Sequence, residues 1–320
     1  MKKTIYLSVI MAAVMLLLPL GALEKGVQTK PVAALTVIPD AEQAATDTVR
    51  LCDTETDKLT ELKTEDYLFG VVAAEMPALY EVEALKAQTV AAYTYTCFRK
   101  AENADKSYDI TTDSTCDQSY ITEEAAKQRW GEKAEEYTKK IKEIIAEVSG
   151  YMVLWEGKPA LTVYHAISSG KTEDGQNVWG TGYPYLKPVS SEGDRLSDDY
   201  ISQVSFTAAE LEKKLSSEIP LSGDKTEWFG KAELTQSGTV TEIELCGEKV
   251  KGARIRSLLD LRSSAFEVEL SDNTFTFTVY GYGHFVGMSQ NGANYMAKQG
   301  SDFKEILTHY YKGCTVEKIK

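Results

Sequence analysis

The 320-residue sequence predicts an α+β fold: an N-terminal transmembrane helix over residues 4–23, a linker over 24–59, and one mixed domain over 60–320 carrying an inserted lobe around 190–265. Three observations predict it. Thr4 to Leu23 runs without a charge. Beyond residue 60 helical and strand patterns do not alternate regularly, which argues against a doubly wound sheet. Residues 190–265 have more charge and fewer structural signals than their flanks, as an insertion would.

The uncharged stretch is 20 residues, about 30 Å as a helix, enough to cross a bilayer. Lys2 and Lys3 precede it and no positive cluster follows closely, so residues 1–3 read as a cytoplasmic stub and the rest as extracytoplasmic. A cleaved signal peptide is the competing reading, with Gly21-Ala22 near its cleavage point. Residues 24–59 carry Pro31 and Pro39 among Thr, Ala and acidic residues without periodicity, as a linker does.

Thr64 to Glu75 reads as a short apolar helix, halted at Met76-Pro77 because proline disfavours helix in the residue before it. A second helix runs from Glu81 to about Arg99, with Glu81 and Glu83 complementing the helix dipole and alanines making it apolar nearly all round. Thr122 to Val148 reads as one amphipathic helix, with Trp130, Ala134, Tyr137, Ile141, Ile144, Ile145 and Val148 at spacings of three and four and Gly150 as its stop. Strand patterns follow at 151–155 and 161–167. A capping box from Thr207 to Glu210 starts another helix, and strands return at 240–246, 266–270 and 274–280, where Phe275, Phe277 and Val279 alternate with threonines.

Composition narrows the function. Apolar residues at 43% and charged residues at 26% are globular values, and a formal charge of −13 without a basic stripe excludes nucleic acid as a partner. Five cysteines are too few for a disulfide scaffold, and their spacings contain no CxxC or zinc-finger pattern.

Chemistry concentrates in two places. Glu75 ends an apolar helix among Val71, Val72, Ala73, Ala74 and Met76. It reads either as an exposed helix-end carboxylate or, if it opens onto a cleft, as a desolvated carboxyl able to give and take a proton near neutrality. Lys86 and Gln88 interrupt the next helix, and a lysine there can equally snorkel its head to water. The second place is Gly281-Tyr-Gly-His284-Phe-Val-Gly287-Met-Ser289-Gln290-Asn-Gly292, four glycines in twelve residues after an alternating strand, which allow backbone to approach a ligand closely. It fits neither G-x-G-x-x-G nor a phosphate loop. His165 and His284 sit at strand ends beside Ser168, Ser169 and Gly170 and beside Ser289 and Gln290, whereas His309 reads as a structural helix-face residue. There is no G-x-S-x-G elbow for a serine triad and no H-E-x-x-H for a zinc site.

Taken together, Asp66-Tyr-Leu-Phe-Gly-Val-Val-Ala-Ala-Glu75-Met-Pro-Ala78, Glu83-Ala-Leu-Lys-Ala-Gln-Thr-Val-Ala-Ala92, Tyr164-His-Ala-Ile-Ser-Ser-Gly-Lys-Thr-Glu173 and Gly283-His-Phe-Val-Gly-Met-Ser-Gln-Asn-Gly-Ala293 resemble the stage II sporulation protein D family, which is related to amidase-enhancer proteins. The resemblance covers roughly residues 60–320. It implies a catalytic domain that cuts peptidoglycan between N-acetylmuramic acid and N-acetylglucosamine, preferring strands stripped of stem peptides and leaving 1,6-anhydro ends during sporulation engulfment. It also implies a cell-membrane, single-pass protein partnered with a cell-wall amidase/endopeptidase and a polytopic membrane protein. By the same resemblance Glu75 is the catalytic acid/base, and Lys86, His165, Ser168, Ser169, His284, Ser289 and Gln290 line the glycan groove. No cofactor and no metal are expected: some clostridial relatives bind zinc through cysteines and histidines after the second helix, where this chain keeps only Cys116. The chain also departs from the family pattern at Tyr93, where an arginine is usual, and at Phe285 and Asn291. The alternative expectation is a catalytically weak, glycan-binding enhancer or scaffold of an amidase. A hydrolytic muramidase would need a second carboxylate, for which Glu173 and Asp174 are candidates.

Overall fold

Apolar periodicity sets the helices of the computed structural model, which describes residues 38–216 and 218–319. A single turn, α1 (Ala41–Ala44), leads to α2 (Thr64–Glu75) and the buried α3 (Val82–Glu102). α2 ends where the sequence places its stop, because Met76 before Pro77 is extended (φ −130°, ψ 136°). The amphipathic stretch expected as one helix is two, α4 (Glu123–Trp130) and α5 (Ala134–Glu147). Gly131, at φ +55°, breaks it, with a tight 3-10 turn over Gly131–Lys133 between the halves. The remaining helices are α6 (Gly175–Trp179), α7 (Ala208–Leu215), α8 (Gly252–Leu259), α9 (Gln290–Lys298) and α10 (Phe303–Tyr310).

The strands form small separate sheets. β1 (Thr48–Cys52) lies between antiparallel β2 (Leu59–Lys63) and parallel β3 (Ile110–Thr111). β4 (Tyr151–Trp155) pairs with β5 (Lys158–Pro159) and with the C-terminal β14 (Thr315–Lys318). The strand expected over 161–167 shortens to β6 (Tyr164–His165), parallel to β13 (Met288–Ser289). β7 (Ile201–Thr207) continues the sheet of β11 (Phe266–Ser271) and β12 (Thr274–Tyr280), and β8 (Phe229–Leu234), β9 (Val240–Leu245) and β10 (Glu248–Lys251) form another.

Three apolar clusters follow. Tyr67, Phe69, Val71 and Leu85 pack α2 and α3 against α5; Ala87, Val90 and Ala91 on the opposite side of α3 meet Met288, Ile306, Tyr310 and Tyr311. The inserted lobe has its own core of Phe206, Trp228, Leu245, Ile255, Phe275 and Phe277, so it extends to residue 279, beyond the expected limit of 265. β12 explains the extension: it pairs with β7 and closes the lobe.

Two expectations for the N-terminal part need correction. The stretch read as a linker up to residue 59 holds α1 and β1, whose Val49 and Leu51 are buried in the core. Among the described residues no helix is long and apolar enough to cross a membrane. The longest, α3, spans 21 residues but carries Glu83, Lys86, Arg99, Lys100 and Glu102. The helix expected over 4–23 lies outside the described residues. The described residues therefore form a mixed helix-and-strand domain in which no helix spans a membrane, and the single-pass membrane location that rested on the expected helix is not supported.

Candidate active site around Glu75

Glu75 is the last residue of α2, delivered by a helix whose Val71, Val72 and Ala73 are buried. Its backbone surroundings are fixed by two cations: Arg129 donates to the Ala73 carbonyl at 3.4 Å, and Lys140 donates to the carbonyls of Ala78 (2.8 Å) and Tyr80 (2.7 Å). The carboxyl is half-buried. Oε1 accepts the Ser119 backbone N–H at 2.7 Å, and Oε2 accepts Gln290 Nε2 at 3.4 Å. Desolvation raises its pKa above the usual carboxylate value, and the donors from Ser119 and Gln290 oppose this only in part.

Parallel pairing of β6 with β13 brings the segment of His165, Ser168 and Ser169 beside the segment of His284, Ser289 and Gln290. Gln290 opens α9 immediately after Ser289, which caps that helix by accepting the Gly292 N–H at 3.1 Å. Its Nε2 also approaches Gln88 Oε1 at 3.5 Å, and the buried Gln88 Nε2 has no partner among the described residues. Tyr164 donates to Gln118 Oε1 at 2.8 Å, while Gln118 Nε2 donates to Tyr67 (3.1 Å) and Thr96 (3.2 Å). Burial raises the pKa values of Tyr67 and Tyr164, and both lie close enough for a charge on Glu75 to add to that rise.

His165 and His284 also meet, their ring centroids 5.7 Å apart, with Trp179 5.2 Å from His284 and Phe285 5.8 Å from His165. Burial holds both imidazoles neutral, with pKa values of about 3. His165 Nδ1–H donates to the Val286 carbonyl at 3.2 Å, leaving its buried Nε2 unpartnered among the described residues. His284 Nδ1 accepts the Val286 N–H at 3.0 Å. Phe285 turns this segment at φ +69°. Gly287 is obligatory: at φ +73°, a Cβ would collide with the Val163 carbonyl.

The serines take a different place. Ser168 and Ser289 both donate to Asp194, at 2.5 and 2.6 Å, and the Ser168 N–H adds a third bond at 2.9 Å. Asp194 is fully buried and its carboxyl is raised by desolvation. Ser169 donates to the Ser237 carbonyl at 2.5 Å, tying its turn to the inserted lobe. Lys86 pairs with Glu83 at 2.9 Å and Glu147 at 2.6 Å, about 160° around α3 from Gln88. Tyr93, in the place where an arginine is usual, is about 140° around α3 from Gln88. Its hydroxyl accepts the Thr46 N–H at 3.2 Å. The geometry therefore joins Glu75 with Gln290, His165 with His284, and Ser168 with Ser289, and leaves Lys86 and Ser169 apart. Ser119, Gln118 and Asp194 carry no motif that sequence reading could use; Gln88, a lone amide in an apolar helix, was the one visible signal.

Among the described residues no group of three or more His, Cys, Asp or Glu side chains is arranged to hold a metal ion. Glu173, a candidate second carboxylate, is buried and accepts bonds from the Asp174 N–H (2.8 Å), Asn177 (2.9 Å) and Thr235 (2.6 Å). Asp174 caps α6 and pairs with Lys187 at 2.9 Å.

Comparison with known proteins agrees with the sequence motifs. A family model described as Stage II sporulation protein matches residues 52–155. The chain is 35% identical to stage II sporulation protein D of Bacillus amyloliquefaciens, over 82% of this chain and 76% of that protein. It is likewise 35% identical to stage II sporulation protein D of Bacillus subtilis (strain 168), over 82% and 77%. It is 26% identical to the amidase enhancer of Bacillus subtilis (strain 168), over 78% of this chain and 40% of that protein.

Proposed function

Since the chain belongs to the stage II sporulation protein D family, we propose that it is a peptidoglycan lytic transglycosylase acting in sporulation, with Glu75 as its acid and base. The observation that carries this reading is a half-buried carboxyl whose polar partners are the neutral donors of Ser119 and Gln290. A hydrolytic glycosidase needs a second carboxylate to activate water or attack the sugar. The two nearest in sequence pattern, Glu173 and Asp174, are engaged in structural bonds. A transglycosylase needs one carboxyl. Protonated Glu75 gives its proton to the glycosidic oxygen as the bond to C1 of N-acetylmuramic acid breaks. The carboxylate then takes the proton of the muramic C6 hydroxyl as that oxygen closes on C1. The internal nucleophile replaces water and supplies proximity within one molecule.

Gln290 orients Glu75, and the neutral His165 and His284 beside Trp179 offer hydrogen bonds and a ring face to sugar hydroxyls and acetamido groups. Ser168 and Ser289 act through Asp194 to hold the segments that carry these groups. Incubating the protein with amidase-stripped glycan strands and weighing the products tests the reading. Fragments lighter by one water that vanish in Glu75→Gln support it, and fully hydrated reducing ends point instead to a muramidase.

The likeness to an amidase enhancer favours a second reading, a glycan-binding partner of a cell-wall amidase. It predicts that wild type and Glu75→Gln bind glycan and stimulate an amidase equally, with no cleavage by either.

A further inference from the structure

The segment between β3 and α4 has no part in the motifs, yet it supplies the shortest bond to Glu75. Asp117, with a side chain 1% exposed, fastens it. Oδ1 of Asp117 accepts Arg99 Nε at 2.9 Å and the Tyr95 hydroxyl at 3.3 Å, and Oδ2 accepts the Thr111 N–H at 2.9 Å and its hydroxyl at 2.7 Å. The next residue, Gln118, is buried and spans Tyr67, Thr96 and Tyr164. Ser119 then presents its N–H to Glu75. Gly70 completes the seat on α2. A Cβ there would collide with the Tyr120 ring and the Ile121 carbonyl, and the Ile121 N–H donates to the Gly70 carbonyl at 3.3 Å. That explains a glycine inside a helix, where it costs about 1 kcal/mol relative to alanine.

We infer that Asp117 is a positioning residue for Glu75: tied to Arg99, Tyr95 and Thr111, it holds the Ser119 N–H on Oε1 and so sets the pH at which Glu75 exchanges its proton. The inference rests on Glu75 being the acid/base, but its test does not require cleavage. Other groups face Glu75 from the elements around it. Tyr67 comes from α2 and Tyr164 from β6. Neutral Gln290 comes from α9 and neutral Gln88 from α3. Arg129 on α4 and Lys140 on α5 bind the carbonyls flanking it. Of the groups bonded to Glu75, Ser119 is the one whose position depends on Asp117.

Asp117→Asn separates the two ways in which Asp117 could act, by sign. Removing a negative charge near Glu75 would by itself lower the Glu75 midpoint, whereas freeing the Ser119 N–H raises it. We expect a rise of about one pH unit, the size of one lost charge-assisted hydrogen bond. It is read from the carboxyl carbon of 13C-labelled glutamate, with Glu75 assigned by its absence in Glu75→Gln. Faster hydrogen exchange at the Ser119 amide accompanies it. An unchanged or lowered midpoint in folded protein overturns the inference. Should Asp117→Asn fail to fold, Thr111→Val keeps the charge and removes one donor to Asp117, and a smaller rise is then expected; no rise overturns the inference equally. Absence of anhydro products from wild type would sink the transglycosylase reading and leave this titration result standing.

Discussion

Glu75 and Asp194 are two carboxyls whose pKa values desolvation raises alike in direction and whose provision with donors is opposite. Asp194 is fully buried and receives two serine hydroxyls and a backbone N–H at 2.5 to 2.9 Å, with Asn291 at 3.4 Å. Glu75 is half-buried and receives one short bond and one long one. Burial raises both pKa values. A carboxyl saturated with donors is held in place and serves as a fastener. One left short of donors beside a surface keeps capacity for a substrate, and its proton can leave.

The sharpest way to break this comparison is Glu75→Gln, which is expected to lower anhydro-product formation by about 10³-fold while leaving the fold intact by circular dichroism. Substituting Asp194→Ala should do the reverse in emphasis. It leaves the Ser168 hydroxyl buried without an acceptor and the Ser289 hydroxyl with only the Ala166 carbonyl at 3.4 Å, a loss of about 3 kcal/mol in denaturant unfolding. A stability unchanged within about 0.5 kcal/mol would mean that Asp194 is not a fastener.

Stability against pH sharpens the contrast further. Because the folded pKa of Glu75 is raised, the native state binds its proton more tightly than the unfolded chain does. Stability from this group is therefore full below the ordinary glutamate pKa and falls as pH rises through the folded value. Glu75→Gln should then stabilise the protein at pH 7 and lose that advantage near pH 4. Equal effects at both pH values would show that the carboxyl is not desolvated. For the same reason cleavage by wild type should decline as pH rises through that folded pKa, since the first step needs the protonated acid. The smallest effect expected is that of Tyr93→Phe, about 1 kcal/mol from the unpaired Thr46 N–H. The loss belongs in unfolding curves, with product yield per folded molecule unchanged.

How much of this was legible in the sequence depended on the range of the interaction. The stop of α2 at Met76-Pro77 and the capping box at Thr207 are decided within four residues, and both are where the sequence places them. Gly131 shows the limit of periodicity. The apolar spacing runs through it unbroken, but a residue at φ +55° with no side chain lets the chain change direction, and the single expected helix becomes two. The lobe was visible as a change in composition, whereas its boundary at β12 depended on a strand pairing some 70 residues away.

By itself the sequence determined α2 and α3 beside Glu75, the carboxyl's apolar neighbours in the chain and the motifs that mark the family, because these depend on local sterics, periodicity and residue identity. Only the tertiary structure decided which polar groups meet. The parallel pairing of β6 with β13 brings the His165 and Ser289 segments together, Gln290 at the start of α9 reaches Glu75 from 215 residues away, Asp194 takes the two serines, and the segment fastened by Asp117 carries Ser119 to Glu75. Buried polar groups must find partners, and those partners come from whichever segment the packing of the apolar faces brings within hydrogen-bond reach. That choice is not encoded by neighbours in the chain, so Ser119, Asp117 and Asp194 carry no signal until the chain is folded.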